Sequence, residues 1–314
     1  MYKILVGVDD FTPDHLARIR AAAAPWADVD TVSQSAPIGE YRSMMLDADV
    51  VVGWPQPDSL FSTPVRFVQI GSAGWDRYEG KGLESQGIII CSGRGIHSVG
   101  VAEHCVAMMF ALARRLPDHV SDKNHRLFQR HPPYMELTGA TACIVGLGDI
   151  GSELARRCKG IGMKVVGVVR DVHRSYPFVD QAFAMGDLKA AIRIADHIFM
   201  TASGSASNSG FFSREVLESI NRTSYFYNIS RGYTVDETAL CELLLQGRIA
   251  GAGLDVTAVE PLPADSPLWG LGNNVLITGH SAGISAHYPD RFCDLAIDNL
   301  ERFYRREPLI NRVM

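Results

Sequence analysis

The chain has 314 residues, 46% of them hydrophobic and 21% charged, with a formal net charge of -5. Such a length exceeds one ordinary core and suits two globular domains, while the slightly acidic balance excludes a general pull toward nucleic acid or an anionic membrane surface. Cys91, Cys105, Cys143, Cys158, Cys241 and Cys293 are scattered, without a CxxC pair, and read as reduced packing residues. In chain order, MYKILVGVDD opens as a first strand rather than a leader peptide, so a cytoplasmic protein is expected. YKILVGV, DVVVGW, RFVQIGSAG and GIIICSG are the predicted strands of a first unit, with helices around His15 to Ala24 and Ile38 to Leu46. The apolar stretch VGVAEHCVAMMFALA is interrupted by Glu103 and His104 and flanked by Arg114 and Arg115, which makes it a buried helix and not a membrane span. A second unit follows with strands in CIVGLG, KVVGVV, HIFMT, YFYNIS, AGAGLDV and VLITGH. The last segment, SAHYPDRFCDLAIDNLERFYRRE, is an amphipathic helix expected to return to the first unit. Alternating strands and helices predict an α/β fold with mostly parallel sheets. The boundary is crossed twice, with residues 1–99 and 285–314 in one domain and 100–284 in the other.

GLGDIG, at Gly146 to Gly151, stands between the strand-like run TACIVG and the helical SELARRCKGIGM. A lone GxGxxG is weak, because loops use glycine wherever the backbone takes positive φ. Strand, turn and helix together point to a dinucleotide, its pyrophosphate lying over Gly146, Gly148, Asp149, Ile150 and Gly151 at a helix N-terminus. Each later strand of this unit ends beside a residue capable of chemistry. Ligands of open α/β sheets bind outside the carboxyl ends of strands, so a cleft there collects Arg231, Glu260 and His280.

NISRGYTVDETAL, GLDVTAVEPLP, SPLW and VLITGHSAG, with SAGWDRY and VAEHCVAMMFALARR before them, resemble successive motifs of the D-isomer-specific 2-hydroxyacid dehydrogenases. The resemblance runs in order over essentially the whole chain. It implies two Rossmann-like domains joined by two helical crossovers, a nicotinamide cofactor in a cleft, a homodimer, and a small 2-keto or 2-hydroxy acid of the glyoxylate or hydroxypyruvate type as substrate. No nucleic acid, membrane or metal partner is expected. Reduction of a 2-keto acid needs hydride at the carbonyl carbon and a proton for its oxygen. His280 is the expected acid and base. Glu260 is expected on its other ring nitrogen, fixing the tautomer and keeping the protonated donor populated near neutral pH. Arg231 offers a guanidinium fork for the substrate carboxylate. By the resemblance, backbone amides of Ser72, Ala73 and Gly74 also hold that carboxylate, and Trp54 lines the substrate pocket.

Cofactor choice turns on the strand KVVGVVRDVHR. An NAD-type unit ends its second strand in an acidic residue that bonds the ribose 2′-hydroxyl. Alignment with the family pattern puts Val169 there, followed by Arg170, with Arg174 and His173 nearby. NADP is therefore the preferred cofactor and NAD the possible one, with Asp171 as the counter-indication. Ser203 and Asp255 complete the expected cofactor contacts. Departures from the pattern include Gly279 in place of a proline, which loosens the backbone before His280, and Ser203 in the serine-rich loop TASGSASNSGFF. A dinucleotide-sensing interaction protein, like corepressors that resemble this family, is the alternative to an enzyme.

Overall fold

Alternation within short apolar runs decides the architecture. In a strand buried on both faces, successive side chains enter opposite cores, so an uninterrupted apolar run is required. The computed structural model describes residues 1–204 and 208–314. The chain divides into two compact units, Met1–His97 with Ser285–Met314, and Ser98–Ile284.

In the first unit, strands Tyr2–Gly7 (β1), Ala27–Thr31 (β2), Val50–Gly53 (β3), Phe67–Gln69 (β4) and Ile89–Cys91 (β5) form a parallel sheet in the order β2-β1-β3-β4-β5. Ile4, Val6, Val50, Val52 and Phe67 join one core, while Leu5, Val51, Val68 and Ile90 join the other. Helix Pro13–Ala23 (α1) starts on Thr12, whose side chain accepts from His15 N. The last helix, Tyr288–Arg305, has Pro289 in its first turn and buries Phe292, Cys293, Ala296 and Leu300 in the same core as β1, β3 and β4. It is tied to α1 by His15 Nε2 and Asp290 Oδ1, 2.9 Å apart. At the sheet edge, Val313 N donates to the carbonyl of Ile90 at 2.9 Å. β2 has the sequence ADVDT, with a single fully buried residue, and is an edge strand that apolar periodicity does not mark.

The second unit begins with helices Ser98–Ala113 (α3) and Leu116–His125 (α4), so Ile38–Met45 in the first unit is α2. Strands Thr141–Val145 (β6), Lys164–Val169 (β7), Gln181–Ala184 (β8), His197–Met200 (β9), Tyr225–Asn228 (β10), Gly251–Leu254 (β11) and Val275–Ile277 (β12) follow. They pair in parallel in the order β12-β11-β10-β9-β6-β7-β8. Ala142, Ile144 and Val165 face a core with α3 and with helix Asp149–Gly160 (α5), while Cys143, Val145, Val166 and Val168 face the opposite one. Burying each valine or isoleucine among them is worth about 1.5–3 kcal/mol. α3 buries Val101, Ala102, Cys105, Met108, Met109 and Leu112, as expected for a core helix; among the described residues no helix is long and apolar enough to cross a membrane. All six cysteines are free and buried. Burial pushes the thiols of Cys91, Cys143 and Cys158 up to about 12, so they are inert packing groups.

The strand order places a topological switch beside β6. The chain runs from β6 outward through β7 and β8, then returns to β9 on the other side and continues to β12. Loops leaving β6 and β9 diverge there, opening a crevice at the carboxyl ends.

Candidate active site

The glycine turn sits at that switch. Gly146 leaves β6 with φ +96, a left-handed conformation, and a Cβ there would lie 2.6 Å from Cα of Ala202 beyond β9. Its N–H donates to the carbonyl of Val168 at 2.9 Å. Thr201 Oγ1 donates to the carbonyl of Gly146 at 2.6 Å, and a Cβ on Gly151 would collide with that same carbonyl. The turn is thus pressed between the first turn of α5 and the end of β9. Over Gly148 the space is open, since an added Cβ would meet nothing within 4 Å. The N-terminus of α5 at Asp149, Ile150 and Gly151 therefore offers amides and a positive dipole end beside an unobstructed backbone, which fits a pyrophosphate.

β7 ends in Val169, only 4% exposed, and Arg170 is the first exposed residue beyond it. Asp171 turns its carboxylate to the following loop, accepting from His173 N at 3.0 Å, and its carbonyl accepts from Tyr176 Oη. Arg174 lies 5.6 Å above the ring of Tyr176. After β9, the carbonyl of Ala202 accepts from Ser230 Oγ, and that of exposed Ser203 accepts from Asn208 Nδ2 at 2.7 Å. Within the serine-rich loop, Ser205, Ala206 and Ser207 lie outside the described residues.

Arg231, Glu260 and His280 follow the adjacent strands β10, β11 and β12. Arg231 is half-buried and extended, at φ -142 and ψ 144. Its carbonyl accepts from Asn228 Nδ2 at 3.0 Å and Thr234 Oγ1 at 2.6 Å, and its Nη1 donates to the carbonyl of Ser230 at 2.8 Å. The next residue, Gly232, is buried so closely on the loop after β11 that a Cβ would collide with the carbonyl of Thr257. That contact draws the Arg231 loop against the loop carrying Glu260. Glu260 Oε1 accepts from Thr257 N at 3.1 Å, while Oε2 lies 2.7 Å from His280 Nδ1. The pair is accessible, with side chains 36% and 49% exposed.

His280 has φ +52, a conformation uncommon for a residue with a Cβ. The preceding glycine does not leave it loose. Its N–H donates to the carbonyl of Asp255 at 2.8 Å, and the Asp255 carboxylate accepts from Ser281 N at 2.9 Å, Ala282 N at 3.0 Å and Thr278 Oγ1 at 2.5 Å. Thr278 in turn lies 3.0 Å from His104 Nε2 on α3. Asp255, only 2% exposed, thus occupies both carboxylate oxygens with the loop that presents His280. Sequence reasoning placed this residue at the cofactor and missed its hold on the histidine loop; the signal was an acid closing the apolar strand AGAGL. It also missed Gly232 and Thr201, whose roles are set by backbone proximity between strands distant in sequence.

In the first unit, the structure brings Trp54 and Ser72 together at the ends of β3 and β4, with Trp54 Nε1 3.4 Å from Ser72 Oγ. Ser72 Oγ donates to the carbonyl of Gly74 at 2.8 Å, closing a tight turn over half-buried Ala73. The indole is half-buried beside Phe292, centroids 5.5 Å apart.

A parallel sheet with a glycine turn at its switch point and a carboxylate–imidazole pair at neighbouring strand ends defines a dinucleotide-dependent α/β enzyme. Residues 106–282 match the model of the D-isomer specific 2-hydroxyacid dehydrogenase, NAD binding domain. The glyoxylate reductase of Korarchaeum cryptofilum is 30% identical over 267 residues, covering 83% of this chain and 77% of that protein. The glycerate dehydrogenase of Methylorubrum extorquens is 28% identical, covering 80% of each. Among solved structures, a D-isomer specific 2-hydroxyacid dehydrogenase family protein from Aeromonas salmonicida superposes with a TM-score of 0.87 at 27% identity, covering 100% of this chain and 99% of that one. The chain belongs to the D-isomer specific 2-hydroxyacid dehydrogenase family and is an NAD(P)-dependent oxidoreductase.

Proposed function

We propose that this enzyme is an NADPH-preferring reductase of a small 2-keto acid of the glyoxylate or hydroxypyruvate type, with His280 as the general acid. The observation that carries the chemistry is the 2.7 Å contact between His280 Nδ1 and Glu260 Oε2. Glu260 fixes the ring through Nδ1, leaving Nε2 to carry the proton exchanged with substrate oxygen, and stabilises the imidazolium from which that proton departs. A nicotinamide cofactor, when bound, supplies the hydride to the carbonyl carbon. As the carbonyl π electrons move onto oxygen, His280 delivers its proton there and the product is the 2-hydroxy acid. In the reverse direction the neutral imidazole accepts it. Arg231 orients the substrate carboxylate and lowers the cost of charge on the carbonyl oxygen. In the first unit, Ser72, Ala73, Gly74 and Trp54 are the proposed substrate residues, the tight turn offering amides suited to an anion and the indole an apolar surface.

NADPH preference is supported by Val169 closing β7, by exposed Arg170 immediately after it, and by the engagement of Asp171 in its own turn. Arg170 and Arg174 would pair with a 2′-phosphate, while Gly146, Gly148, Asp149, Ile150 and Gly151 hold the pyrophosphate, with Ser203 on the adenosine side. A homodimer, which the family resemblance implies, would find exposed apolar side chains to cover in Phe110, Leu116, Val120, Leu127 and Phe128, on α3, α4 and the following segment. Six buried, unpaired thiols suit the reducing cytoplasm.

The test is NADPH oxidation, followed by absorbance, with a panel of 2-keto acids, repeated with NADH. Turnover of glyoxylate or hydroxypyruvate with a higher kcat/KM for NADPH is expected. A clear preference for NADH would reject the cofactor assignment. Tight NADPH binding without turnover of any keto acid would reject the reductase and favour a dinucleotide sensor, a reading that the enzyme names of the relatives do not favour.

A further inference from the structure

Away from the strand ends, α4 and the segment after it bring together a second set of titratable groups. His119 and Asp122 are three residues apart on α4 and so share one face of the helix. His131 returns to that face from residues 127–137, which have no regular secondary structure. The imidazoles of His119 and His131 meet edge to face with centroids 5.0 Å apart. One ligand atom from each imidazole and one from the carboxylate all lie within 4.8 Å of one another. Asp122 is a buried carboxylate, 7% exposed. Its Oδ2 lies 2.5 Å from His131 Nε2, and its Oδ1 accepts from Gln129 Nε2 at 2.9 Å. Tyr134 Oη accepts from His131 N at 2.8 Å and stands 3.3 Å from His119 Nε2. The neighbouring charges are Asp118, bonded to Arg115 Nε at 2.8 Å and to Asn273 Nδ2 at 3.2 Å, and Arg114, over the Tyr134 ring at 5.3 Å.

We propose that His119, Asp122 and His131 form a site for a zinc-class divalent cation that pins residues 127–137 to α4. Two imidazoles and one carboxylate are the ligand types such an ion takes, and three protein ligands leave its fourth position to solvent. Entry of the ion replaces the hydrogen bond between His131 Nε2 and Asp122 Oδ2; the Nε2 proton leaves through solvent, and the ring ligates with its remaining hydrogen on Nδ1. The ligand atoms then settle at roughly 3.3 Å from one another, as bonds of about 2.0–2.2 Å at tetrahedral angles require. Gln129 orients the carboxylate from its other oxygen, as an outer hydrogen-bond partner does in metal sites. The segment has use for such a clip. Leu127 is 53% exposed and Phe128 wholly so, and apolar burial secures the stretch only at its far end, where Met135 packs against the core and Leu137 is 5% exposed. The site lies outside the strand-end residues assigned to catalysis and takes no part in the hydride reaction.

The experiment is calorimetric titration of the chelator-treated full-length protein with Zn2+ alone, beside the His119→Gln, His131→Gln and His280→Gln variants. One tight equivalent per chain is expected. Each of the first two substitutions should weaken it by at least about 10–100-fold, the effect of losing an outer partner being the lower bound, while His280→Gln leaves it unchanged. Independently of any variant, Zn2+ should slow amide exchange across residues 127–137, and Co2+ should give the visible absorption of a low-coordinate site. Absence of a tight equivalent, equal affinity in the His119→Gln/His131→Gln double variant, or exchange protection confined to other segments would overturn the proposal.

Discussion

His197 on β9 provides a test in which magnitude follows from geometry. The ring is fully buried, with Nδ1 3.0 Å from Tyr227 Oη and Nε2 3.1 Å from Met135 Sδ. It stacks on Tyr225 at 5.5 Å and on Tyr227 at 5.9 Å. Neutral imidazole satisfies both contacts, accepting from the tyrosine hydroxyl at Nδ1 and presenting Nε2–H to sulfur. Burial pushes its pKa down to about 4, against a smaller opposing effect of Asp196. Because the folded value lies below that of the unfolded chain, about 6.5, the unfolded state binds the extra proton between them and stability falls as pH falls. The contribution is complete above the unfolded value and is lost progressively as pH drops toward the folded one. At about 1.4 kcal/mol per pH unit, moving from near pH 7 to near pH 5 removes about 2 kcal/mol. His197→Gln retains an acceptor for Tyr227 and cannot titrate in this range. In urea unfolding at several pH values, the difference in stability between the two proteins should shrink by about 2 kcal/mol over that window. A difference independent of pH would show that the histidine charges freely in the folded state and would refute the reasoning.

His280→Ala should lower kcat by about 10²–10⁴-fold while leaving the Kd for NADPH nearly unchanged; steady-state kinetics with fluorescence titration of the cofactor separates the two, and an unaffected kcat removes His280 from the acid role. Gly151→Ala places a methyl against the carbonyl of Gly146, so overpacking of about 1–3 kcal/mol is expected together with weakened NADPH binding; calorimetric Tm and cofactor Kd equal to those of the parent would contradict the tight turn. Asp255→Asn turns an amide N–H2 toward donors that the carboxylate now accepts. A loss of about 1–3 kcal/mol in stability is expected, along with a reduced kcat as the His280 loop shifts, and retention of both would show that the loop is held elsewhere.

The repeating units of the fold were legible because parallel strands buried on both faces need continuous apolar runs, and TACIV, KVVGVV and HIFM are such runs. β2 escaped because an edge strand needs only one buried residue, and β8, QAFA, because all four of its residues remain partly or fully exposed. Arg231, Glu260 and His280 were legible through their motifs. What brings their loops together was not, since Gly232 acts by the backbone of Thr257, and Asp255 acts by three donors 23 to 27 residues further on. Spacing along a chain carries no trace of such contacts. The pairing of His119 and Asp122 with His131 was equally hidden, because the returning segment has no periodicity to place it.

The double crossing of the unit boundary has a consequence for synthesis on the ribosome. The first 97 residues contain all five strands of the first sheet, yet the helix carrying Phe292, Ala296 and Leu300 emerges almost two hundred residues later. Until then the face formed by Ile4, Val6, Val50, Val52 and Phe67 has no cover from that helix. The nascent first unit therefore waits with this face covered only in part, by α1, while the second unit, continuous in sequence from Ser98 to Ile284, can complete itself. Translation pauses or truncations before Tyr288 should accordingly yield chaperone-bound or aggregated chains rather than a soluble half.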